Sequence, residues 1–428
     1  MTDPGLWLFL AFLALVALGI PIGVAAGATG TFFLWYQQIG VQILSANVYA
    51  NIAKFQLLAI PFFILAGLIL DRAGISERLV HLASLLVGPV HGGLALVAVI
   101  CCVFFAGISG SGPADTAALG AVLIPAMAAR GYDKGFASAL IASGGSIAII
   151  IPPSVAFIIY GVITTVSVPA LFAAGVFPGI LVGLALMGPA YAISRAEGYG
   201  GERWGTPHEI WRAFVEALWG LLAPLVILGG IYGGIFTPTE AAVVAVFYGL
   251  FAGVVIYRKL GWRDLYTILR DAAVSSAVVM FIVGFAGLFA WAGSRLGAMD
   301  KASRLILGLS QDSAVTILWI NLLLLVAGCL LDAISIFYVM LPILMPVIAH
   351  FRWDPIWFGV VMTVNLAIGQ VTPPVAVNLY VAANLAQISL ERISRAVVPF
   401  ILAMLAALVV IIYWTGLSIW LPRLFRLG

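Results

Sequence analysis

Long runs of residues with few or no charged side chains are the feature that most restricts how this chain can fold. A bilayer core is about 30 Å thick and takes roughly 20 helical residues to cross, so the longest runs must each hold two membrane elements. The sequence therefore predicts an all-α polytopic membrane protein. The runs cover residues 5–36, 56–70, 92–129, 135–194, 213–257, 272–294, 313–351, 355–390 and 396–422.

The composition excludes a chain that exposes most of its surface to water. Only 9% of the residues are charged and 64% are hydrophobic, whereas a soluble domain carries about 25% charged residues. The net charge is only +3 and the basic residues are scattered, which argues against a nucleic-acid partner. Cys101, Cys102 and Cys329 lie in apolar runs and are too few for a disulfide framework or a zinc site, so we expect small buried side chains.

The two halves of the chain share landmarks at a constant offset of 221 positions, which indicates an internal duplication. In each half an apolar run ends in glycine, and a polar cluster, a second apolar run, a short charged loop and a run broken by Pro-Pro follow. Such interrupted repeats are typical of secondary transporters and mark where they bind. The matching pairs are Gly107 and Gly328, Pro125 and Pro346, Asp133 and Asp354, and Pro152-Pro153 and Pro373-Pro374.

Residues 104–127 place a turn of small and polar residues, Ser109 to Pro113, between two apolar helices. Non-helical backbone at membrane depth is tolerated only where it lines protein or a watery cavity. No Lys, Arg or Glu marks this turn as solvated, so we expect a re-entrant hairpin whose tip offers oxygens to an ion. The alternative is a polar loop outside the membrane, with Asp115 as an ordinary charge at a helix N-terminus.

Residues 326–347 are the counterpart of this hairpin in the second half. Asp332 and Ser335 are their only strongly polar side chains. A lone carboxylate in so apolar a run is costly, and such residues usually face the bundle interior and serve function. We expect a second hairpin with Asp332 at its tip.

Tandem prolines interrupt one apolar helix in each half, within residues 142–160 and 365–380. Proline lacks an N–H and clashes with the preceding turn, and the residue before it avoids helical geometry. We expect both helices to unwind there and to free oxygens for a sodium ion, although an ordinary proline kink is the alternative. Residues that add oxygens or allow close approach are Ser143, Gly144, Gly145, Ser146 and Ser154 in the first break and Gln370, Thr372 and Asn378 in the second.

Two further features have common structural explanations. Thr237-Pro238-Thr239-Glu240 is a complete helix-start signal, and capping alone accounts for it. Arg295 closes the run 272–294, where an arginine usually extends to the interface. Its planar fork also suits a bidentate grip on a carboxylate.

These motifs together resemble the large membrane subunit of tripartite ATP-independent periplasmic (TRAP) transporters. The residues that carry the resemblance are TPTEAA at 237–242, SGSGPADTAALG at 109–120, IPPS at 151–154 and TPP at 372–374. The resemblance covers essentially the whole chain. It implies two inverted repeats with re-entrant helical hairpins and Pro-broken helices, arranged as a scaffold domain and a transport domain of the elevator type.

The resemblance also assigns roles to the residues of the two hairpins. It implies that Ser109, Ser111, Asp115 and Arg295 bind the substrate. We expect two sodium sites, each made by a hairpin tip and a Pro-Pro break, with sodium as the coupling ion and no cofactor or transition metal. The first site comprises Ser109, Gly112, Ser143, Gly145 and Pro152, and the second comprises Gly328, Asp332, Ser335, Gln370 and Thr372.

Six regions follow from these expectations. Two polar stretches, 195–212 and 258–271, are each expected to contain an amphipathic helix in the membrane plane. The regions are 1–91 (N-terminal spans and the start of the first repeat), 92–194 (first transport half), 195–271 (polar connector, amphipathic arm helices and the TPTE span), 272–312 (the span leading to Arg295), 313–390 (second transport half) and 391–428 (C-terminal span).

The resemblance implies sodium-coupled uptake of an organic acid across the bacterial inner membrane, with a periplasmic substrate-binding protein that delivers the substrate. A small four-helix membrane subunit is the second implied partner. We expect it to be a separate chain, because only a few residues precede the first run and Met1 to Leu6 lack the basic region of a secretory signal.

Four other functions are open to a chain of this kind. A single-component carboxylate transporter would share the repeats but need no partners. A channel would need a continuous polar ring, and an enzyme would need a nucleophile and base within the membrane, for which no run supplies a suitable histidine. A passive scaffold would not keep polar tips at membrane depth. We therefore expect a transporter and not an enzyme.

Overall fold

The computed structural model describes residues 4–88, 90–200 and 204–427, which form helices and connecting loops without a β-strand. Residues Met1 to Asp3, part of the expected first region, lie outside the described residues. The helices are α1 (Pro4–Ala17), α2 (Ile22–Tyr36), α3 (Val41–Ile52), α4 (Ala59–Arg72), α5 (Ile75–Val87), α6 (Gly93–Ser109), α7 (Gly112–Ala129), α8 (Lys134–Ser146), α9 (Val155–Thr164), α10 (Val168–Ala196), α11 (Pro207–Tyr232), α12 (Pro238–Leu250), α13 (Trp262–Arg295), α14 (Ala298–Leu309), α15 (Ser313–Gly328), α16 (Ala333–Phe351), α17 (Pro355–Gly369), α18 (Val377–Ala386), α19 (Leu390–Ala396), α20 (Val398–Tyr413) and α21 (Gly416–Leu424). Short 3-10 helices cover Phe55–Leu58 and Ile147–Ile149, and a π-helix covers Phe251–Ile256.

Among the described residues, seven helical segments are long and apolar enough to cross a membrane. The bent pair α19–α20, with an angle of 48°, raises the number to eight if it counts as one span. Shorter apolar helices supply the incoming arm of each hairpin, α6 and α15, and the two broken spans, whereas the outgoing arms α7 and α16 are among the seven. The seven segments are Phe55–Arg72, Gly112–Ala129, Val168–Ala196, Pro207–Tyr232, Pro238–Ile256, Trp262–Arg295 and Ala333–Phe351.

The duplication read from the sequence is present in the fold. Helices α4 to α9 correspond in order to α13 to α18, α10 corresponds to the bent pair α19–α20, and several helix ends match in detail. Asp133 and Asp354 cap α8 and α17 with their side chains, and Ser167 and Ser389 cap α10 and α19 in the same way. Both Pro-Pro bonds, one in each half, are cis.

The two repeats are inverted, as expected. Helix α4, the broken pair α8–α9, and helices α10, α11 and α12 each cross once, whereas the first hairpin returns to the face from which it entered. The chain therefore makes five crossings between the start of α4 and the start of α13. Because this number is odd, corresponding helices run in opposite directions through the membrane.

The polar connectors do not form the in-plane helices expected from the sequence. Of the stretch 195–212, the described part is the end of α10, a loop and the start of α11, which a Thr206–Glu209 capping box opens. The stretch 258–271 leads directly into α13, which continues without interruption to Arg295. The amphipathic connecting helices are instead α5 and α14, at corresponding positions of the two repeats.

The hairpins and broken helices form the buried interior. We call α6–α9 and α15–α18 the inner unit, within which α7 packs against α8 and α18, and α15 packs against α17. The outer helices are α4, α12 and α13; α12 and α13 each pack against α4, and α4 also contacts α6 and α9. Every residue of α8 from Gly135 to Ser146 is buried. The fold thus buries most of the first hairpin tip, whereas the second tip is partly exposed at Leu330.

Candidate functional site

The first hairpin turns more tightly than the sequence suggested. Helix α6 ends at Ser109 and α7 begins at Gly112, so the turn is Gly110 and Ser111 rather than Ser109 to Pro113. Gly110 has φ +67°, and a Cβ at this position would lie 2.4 Å from the carbonyl oxygen of Pro153. Only glycine fits both the backbone conformation and the approach to the first Pro-Pro break.

The N-terminus of α7 has no side-chain cap. Ser111 is the N-cap residue, but its side chain accepts no hydrogen bond from the first turn. The free N–H groups and the positive end of the helix dipole make this turn a favourable place for an anion. Ser111 and Gly112 both line the central cavity described below.

Asp115 points into the protein instead of into that cavity. Its side chain is fully buried, and the hydroxyl of Ser109 donates a hydrogen bond to its carboxylate. The second carboxylate oxygen, Oδ2, is buried and has no hydrogen-bond partner among the described residues. The pair therefore belongs to the interior of the first tip, where a carboxylate can offset the charge of a cation.

Both Pro-Pro segments unwind their helices, as predicted. In the first, helix gives way after Ile149 and resumes at Val155, where Ser154 accepts a hydrogen bond from the Phe157 N–H (3.3 Å) and donates one to the Ile149 carbonyl (2.6 Å). In the second, α17 ends at Gly369 and α18 begins at Val377. These are breaks and not simple kinks.

A central cavity of about 250 Å³ lies where the two tips and the first break meet. The N-termini of three helices line it: α7 at Gly112–Ala114, α9 at Val155 and Ala156, and α16 at Ala333 and Ile334. Helices α4 and α13 close the opposite side. Their lining residues are Ile64, Gly67 and Leu68 of α4 and Ser275 and Val279 of α13, and the first tip (Ser109, Gly110 and Ser111) with Ile149, Asp332 and Gln370 completes the wall.

The predicted first sodium site is only partly assembled around α7 and α8. A Cβ on Gly145 would lie 2.2 Å from the Thr116 hydroxyl and 3.1 Å from the Gly112 carbonyl oxygen, so these groups are in close contact. Ser143 is buried in the same helix, and its hydroxyl has no partner among the described residues. The carbonyl of Pro152 instead faces Gly107, 3.8 Å from a Cβ placed there.

Gln370, predicted for the second sodium site, contacts the first tip. Its Oε1 would lie 2.2 Å from a Cβ on Gly112. Asn378 of α18 donates from Nδ2 to the Ala142 carbonyl (3.2 Å) and to Gln370 Oε1 (3.4 Å). The second repeat thus supplies polar side chains to the first tip.

The remaining residues predicted for the second site are held in local hydrogen bonds. Asp332 caps α16, accepting from the N–H (3.0 Å) and the hydroxyl (2.6 Å) of Ser335. The Thr372 hydroxyl donates to the Ile368 carbonyl at 2.7 Å. Gly328 packs against Gly369, whose Cα would lie 3.1 Å from a Cβ on Gly328. Gly328 therefore lets the second tip approach its own break closely.

The structure does not bring Arg295 to the first tip. Arg295 is exposed at the C-terminal end of α13, with its guanidinium 5.6 Å from the centre of the Trp291 ring. Val279 of the same helix lines the cavity, and the 16 residues between them correspond to a rise of roughly 24 Å. In this conformation, therefore, Arg295 and the first tip are too far apart to bind the same carboxylate, although the sequence had predicted that they would.

Sequence reasoning missed several polar groups of the interior. Thr116 donates to the Gly112 carbonyl at 2.9 Å, and its place one turn beyond Gly112 was a signal for it. Asn365 donates to the backbone and side-chain oxygens of Asn321, both at 2.9 Å. Two asparagines in separate apolar runs gave no sign of this contact. By contrast, the Thr237–Glu240 capping box forms as predicted, on an exposed helix end.

Comparisons with known proteins agree with the motifs. The family model for the DctM component of tripartite ATP-independent periplasmic transporters matches residues 9–417. The isethionate TRAP transporter permease protein DctMQ of Oleidesulfovibrio alaskensis is 41% identical over 413 residues, which is 96% of this chain but 65% of that protein. The chain thus spans about two thirds of that relative's length.

Two shorter relatives match over nearly their whole length. The C4-dicarboxylate TRAP transporter large permease protein DctM of Rhodobacter capsulatus is 36% identical, covering 96% of this chain and 97% of that protein. The 2,3-diketo-L-gulonate TRAP transporter large permease protein YiaN of Escherichia coli is 38% identical, covering 94% and 95%. The Alcanivorax borkumensis YdaH transporter shares the fold at a TM-score of 0.63 and 15% identity, over 97% of this chain and 98% of that one.

The relatives are transporter permeases, so the chain is a transporter subunit and not an enzyme. Together with its apolar helices, they make it a multi-pass protein of the bacterial inner membrane. It belongs to the DctM family, the large membrane component of tripartite ATP-independent periplasmic transporters.

Proposed function

We propose that this protein carries an organic acid across the inner membrane, coupled to sodium, after a periplasmic binding protein has delivered it. The observation that carries the proposal is the convergence of three helix N-termini on the central cavity. Ser154 and Asp332 already cap α9 and α16, which leaves the first turn of α7 as the uncapped one. An acid group of the substrate binds there, in the field of the three dipoles.

The names of the relatives support this class of substrate. They transport isethionate, C4-dicarboxylates and 2,3-diketo-L-gulonate, and all three classes carry an anionic acid group. The cavity walls contributed by α4 are apolar apart from backbone atoms, whereas the tip offers N–H groups and small side chains. We propose a small organic anion whose acid group faces α7 and whose remainder faces α4 and α13.

Sodium binds at two places in this proposal. The first lies beside Asp115 and Ser109, where the Gly112 carbonyl and the Thr116 hydroxyl approach Gly145 of α8. The unpartnered hydroxyl of Ser143, in the same helix, is a further oxygen for this site. The carboxylate offsets the charge of the ion, so the ion and the tip stabilise each other. The second site lies between Gly328 and the break around Thr372, with Asp332 and Ser335 ordering the tip.

Movement of the inner unit against the outer helices completes the mechanism. The central cavity lies near the end of α4 that carries Arg72, since Leu68 lines it only four residues earlier, about 6 Å along the helix. In the elevator scheme, the inner unit shifts as a body and opens the same cavity at the other end of α4. Tip and break remain together during this shift because Gly110 and Pro153 are in contact.

Two partner proteins belong to the proposal. The family description names a tripartite periplasmic transporter, and the name DctMQ joins a second component to the DctM part. We propose a small membrane subunit, as a separate chain, and a periplasmic substrate-binding protein. The large subunit supplies the path and the two other components supply anchoring and delivery.

Uptake into proteoliposomes tests the function directly. The complex is reconstituted with its partners and supplied with isethionate, succinate, sialic acid and a sugar acid, in sodium buffer or in choline buffer at the same pH. We expect uptake of at least one of these acids, and only with a sodium gradient. Equal uptake in choline buffer would exclude sodium coupling, and uptake without the binding protein would favour a single-component transporter.

A further inference from the structure

A second cavity, of about 700 Å³, lies at the other end of α9 from the central cavity, and Lys54 is the one cation among the described residues that line it. We call it the Lys54 cavity. Loops form its walls: the segment before α4, the connection from α9 to α10 and the start of α12. Loop backbone and a charged side chain belong at the aqueous face of a membrane protein. The cavity therefore opens to water at the face where α4 begins.

The two cavities lie along the same helices on opposite sides of the protein. Ala156 of α9 lines the central cavity and Val162 lines the Lys54 cavity, a separation of six residues or about 9 Å along the helix. The central cavity lies toward Arg72 and the Lys54 cavity toward the start of α4. A solute that crosses this protein by way of the central cavity has to pass the Lys54 face.

The ammonium group of Lys54 has unused capacity to bind an anion. It donates to the carbonyl oxygen of Val162 at 3.3 Å, and an ammonium has three donors. No carboxylate lies within ion-pair distance of it among residues 4–88, 90–200 and 204–427, and no Asp or Glu lines the cavity. A half-buried cation without a counter-ion attracts anions from solution.

The other polar groups of the wall suit an acid group as well. Thr165, Ser167, Thr237 and Thr239 bring hydroxyls and Gln56 brings an amide. A carboxylate lies nearby in Glu240, but it is held at the start of α12 by the N–H (2.8 Å) and the hydroxyl (2.9 Å) of Thr237. Its charge therefore faces the positive end of that helix, and Lys54 remains unneutralised.

We propose that the Lys54 cavity is a second binding site for the transported organic anion, with Lys54 binding its carboxylate or sulfonate group. Lys54 lies in the segment just before outer helix α4 and contacts Val162 of the inner unit, so an anion held there touches both parts. When the anion takes the place of the Val162 carbonyl oxygen as the partner of the Lys54 ammonium group, the contact between Lys54 and the inner unit is lost. The identity of the anion rests on the proposed function, but the site itself is tested without transport.

The test uses a reporter cysteine, Gln56→Cys, at an exposed position in the cavity wall. Its rate of reaction is measured with an anionic sulfonatoethyl methanethiosulfonate and with the cationic trimethylammonium analogue. We expect Lys54→Met to lower the anionic-to-cationic rate ratio by about tenfold at low salt, since a unit charge close to the thiol is removed. Lys54→Arg should retain the ratio, and Glu240→Gln should raise it.

A matched control removes a lysine at the other face. Lys259 is ion-paired with Glu77 at 2.6 Å, near the end of α4 that carries Arg72, so Lys259→Met should leave the ratio unchanged. Binding is distinguished from a general surface potential by the dependence on reagent concentration. The rate of the anionic reagent should level off when Lys54 is present and rise linearly in Lys54→Met.

Three results would overturn the proposal. The first is a ratio unaffected by Lys54→Met, and the second is a linear concentration dependence with Lys54 in place. The third concerns lipid, and it is tested in nanodiscs with and without phosphatidylglycerol. If that lipid protected the cysteine from the reagents, the cavity would be a binding site for a lipid headgroup and not for the transported anion. None of these measurements needs uptake, so failure of the transport assay leaves the result interpretable.

Discussion

The tips of the two hairpins occupy corresponding positions of an inverted repeat, yet they use their polar residues differently. At the second tip Asp332 caps its own helix through Ser335. At the first tip the N-terminus of α7 is left uncapped, and the carboxylate stands one turn inside at Asp115, held by Ser109. The duplication has preserved the backbone path, while only the second of the two tips caps its outgoing helix with a side chain.

The largest effect should come from a variant that disrupts the close contact between the first hairpin tip and the first Pro-Pro break. Gly110→Ala forces alanine to φ +67° and places a Cβ 2.4 Å from the Pro153 carbonyl oxygen. Strain and overpacking together cost about 2–5 kcal/mol, or roughly thirty- to several-thousandfold in the population of the native tip. We expect uptake to be lost while the protein still reaches the membrane.

Gly131→Ala is the matched control for this variant. Gly131 also has positive φ, +85°, but a Cβ there meets nothing within 4 Å. It should cost about 1–2 kcal/mol of stability from strain alone and leave the uptake rate of the folded protein intact. If both variants lost uptake equally, backbone strain and not the tip–break contact would be responsible.

The second prediction contrasts the two carboxylates. Asp115→Asn keeps the volume but removes the charge that we propose offsets the first sodium ion. Loss of a charge-assisted interaction of about 1.5–3 kcal/mol should weaken the apparent sodium affinity of uptake by roughly ten- to hundredfold. Asp332→Asn should change it little, because asparagine caps a helix as well as aspartate does. Equal losses in both variants would show that the two tips are functionally equivalent.

The sequence predicted what depends on local chemistry and failed where distant segments meet. Apolar runs located the helices, Pro-Pro located both breaks, and the common offset revealed the repeat, since each depends on residues close in the chain. The contact of Gln370 and Asn378 with the first tip depends on how α18 packs against α7 and α8. No spacing within the second half encodes it.

The distance of Arg295 from the central cavity could not be predicted from the sequence for a related reason, and its role in substrate binding stays a prediction. A charged residue that closes an apolar run suits either an interfacial position or a buried binding site, and residue type does not distinguish the two. The length of α13 decides, because its 34 residues place Arg295 far from the part of the helix that lines the central cavity. Which part of α13 lines the cavity, at Ser275 and Val279, was the information that the sequence did not supply.

The third prediction measures the cap at the second tip. Asp332→Ala removes the acceptor for the Ser335 N–H and hydroxyl, and loss of an N-cap costs about 1 kcal/mol. We expect a lower thermal midpoint in detergent, with Asp332→Asn close to the unmodified protein. An alanine variant of unchanged stability but lost uptake would instead place Asp332 among the ligands of the second sodium ion.

The smallest effect concerns Asp133 and Asp354, the corresponding residues that cap α8 and α17. Asp133 also pairs with Arg392, whereas Asp354 has no ion pair among the described residues. Burial would raise the pKa of Asp133, but the Phe136 N–H and the Arg392 guanidinium outweigh it and lower the pKa below the ordinary value. The stabilisation is therefore present at neutral pH and lost as the pH falls through the lowered pKa.

Asp133→Asn keeps the cap and removes only the ion pair. The pair is largely exposed, so the loss at neutral pH should stay within about 1 kcal/mol, and Asp354→Asn should lose less. Thermal midpoints of both variants and the unmodified protein, measured from neutral pH down to about pH 2, roughly two units below the ordinary value for aspartate, separate the two contributions. The difference for Asp133→Asn should shrink toward the acid end and with added salt. A difference that stayed constant over this range would mean that the variant disturbs the cap of α8 and not the contact with Arg392.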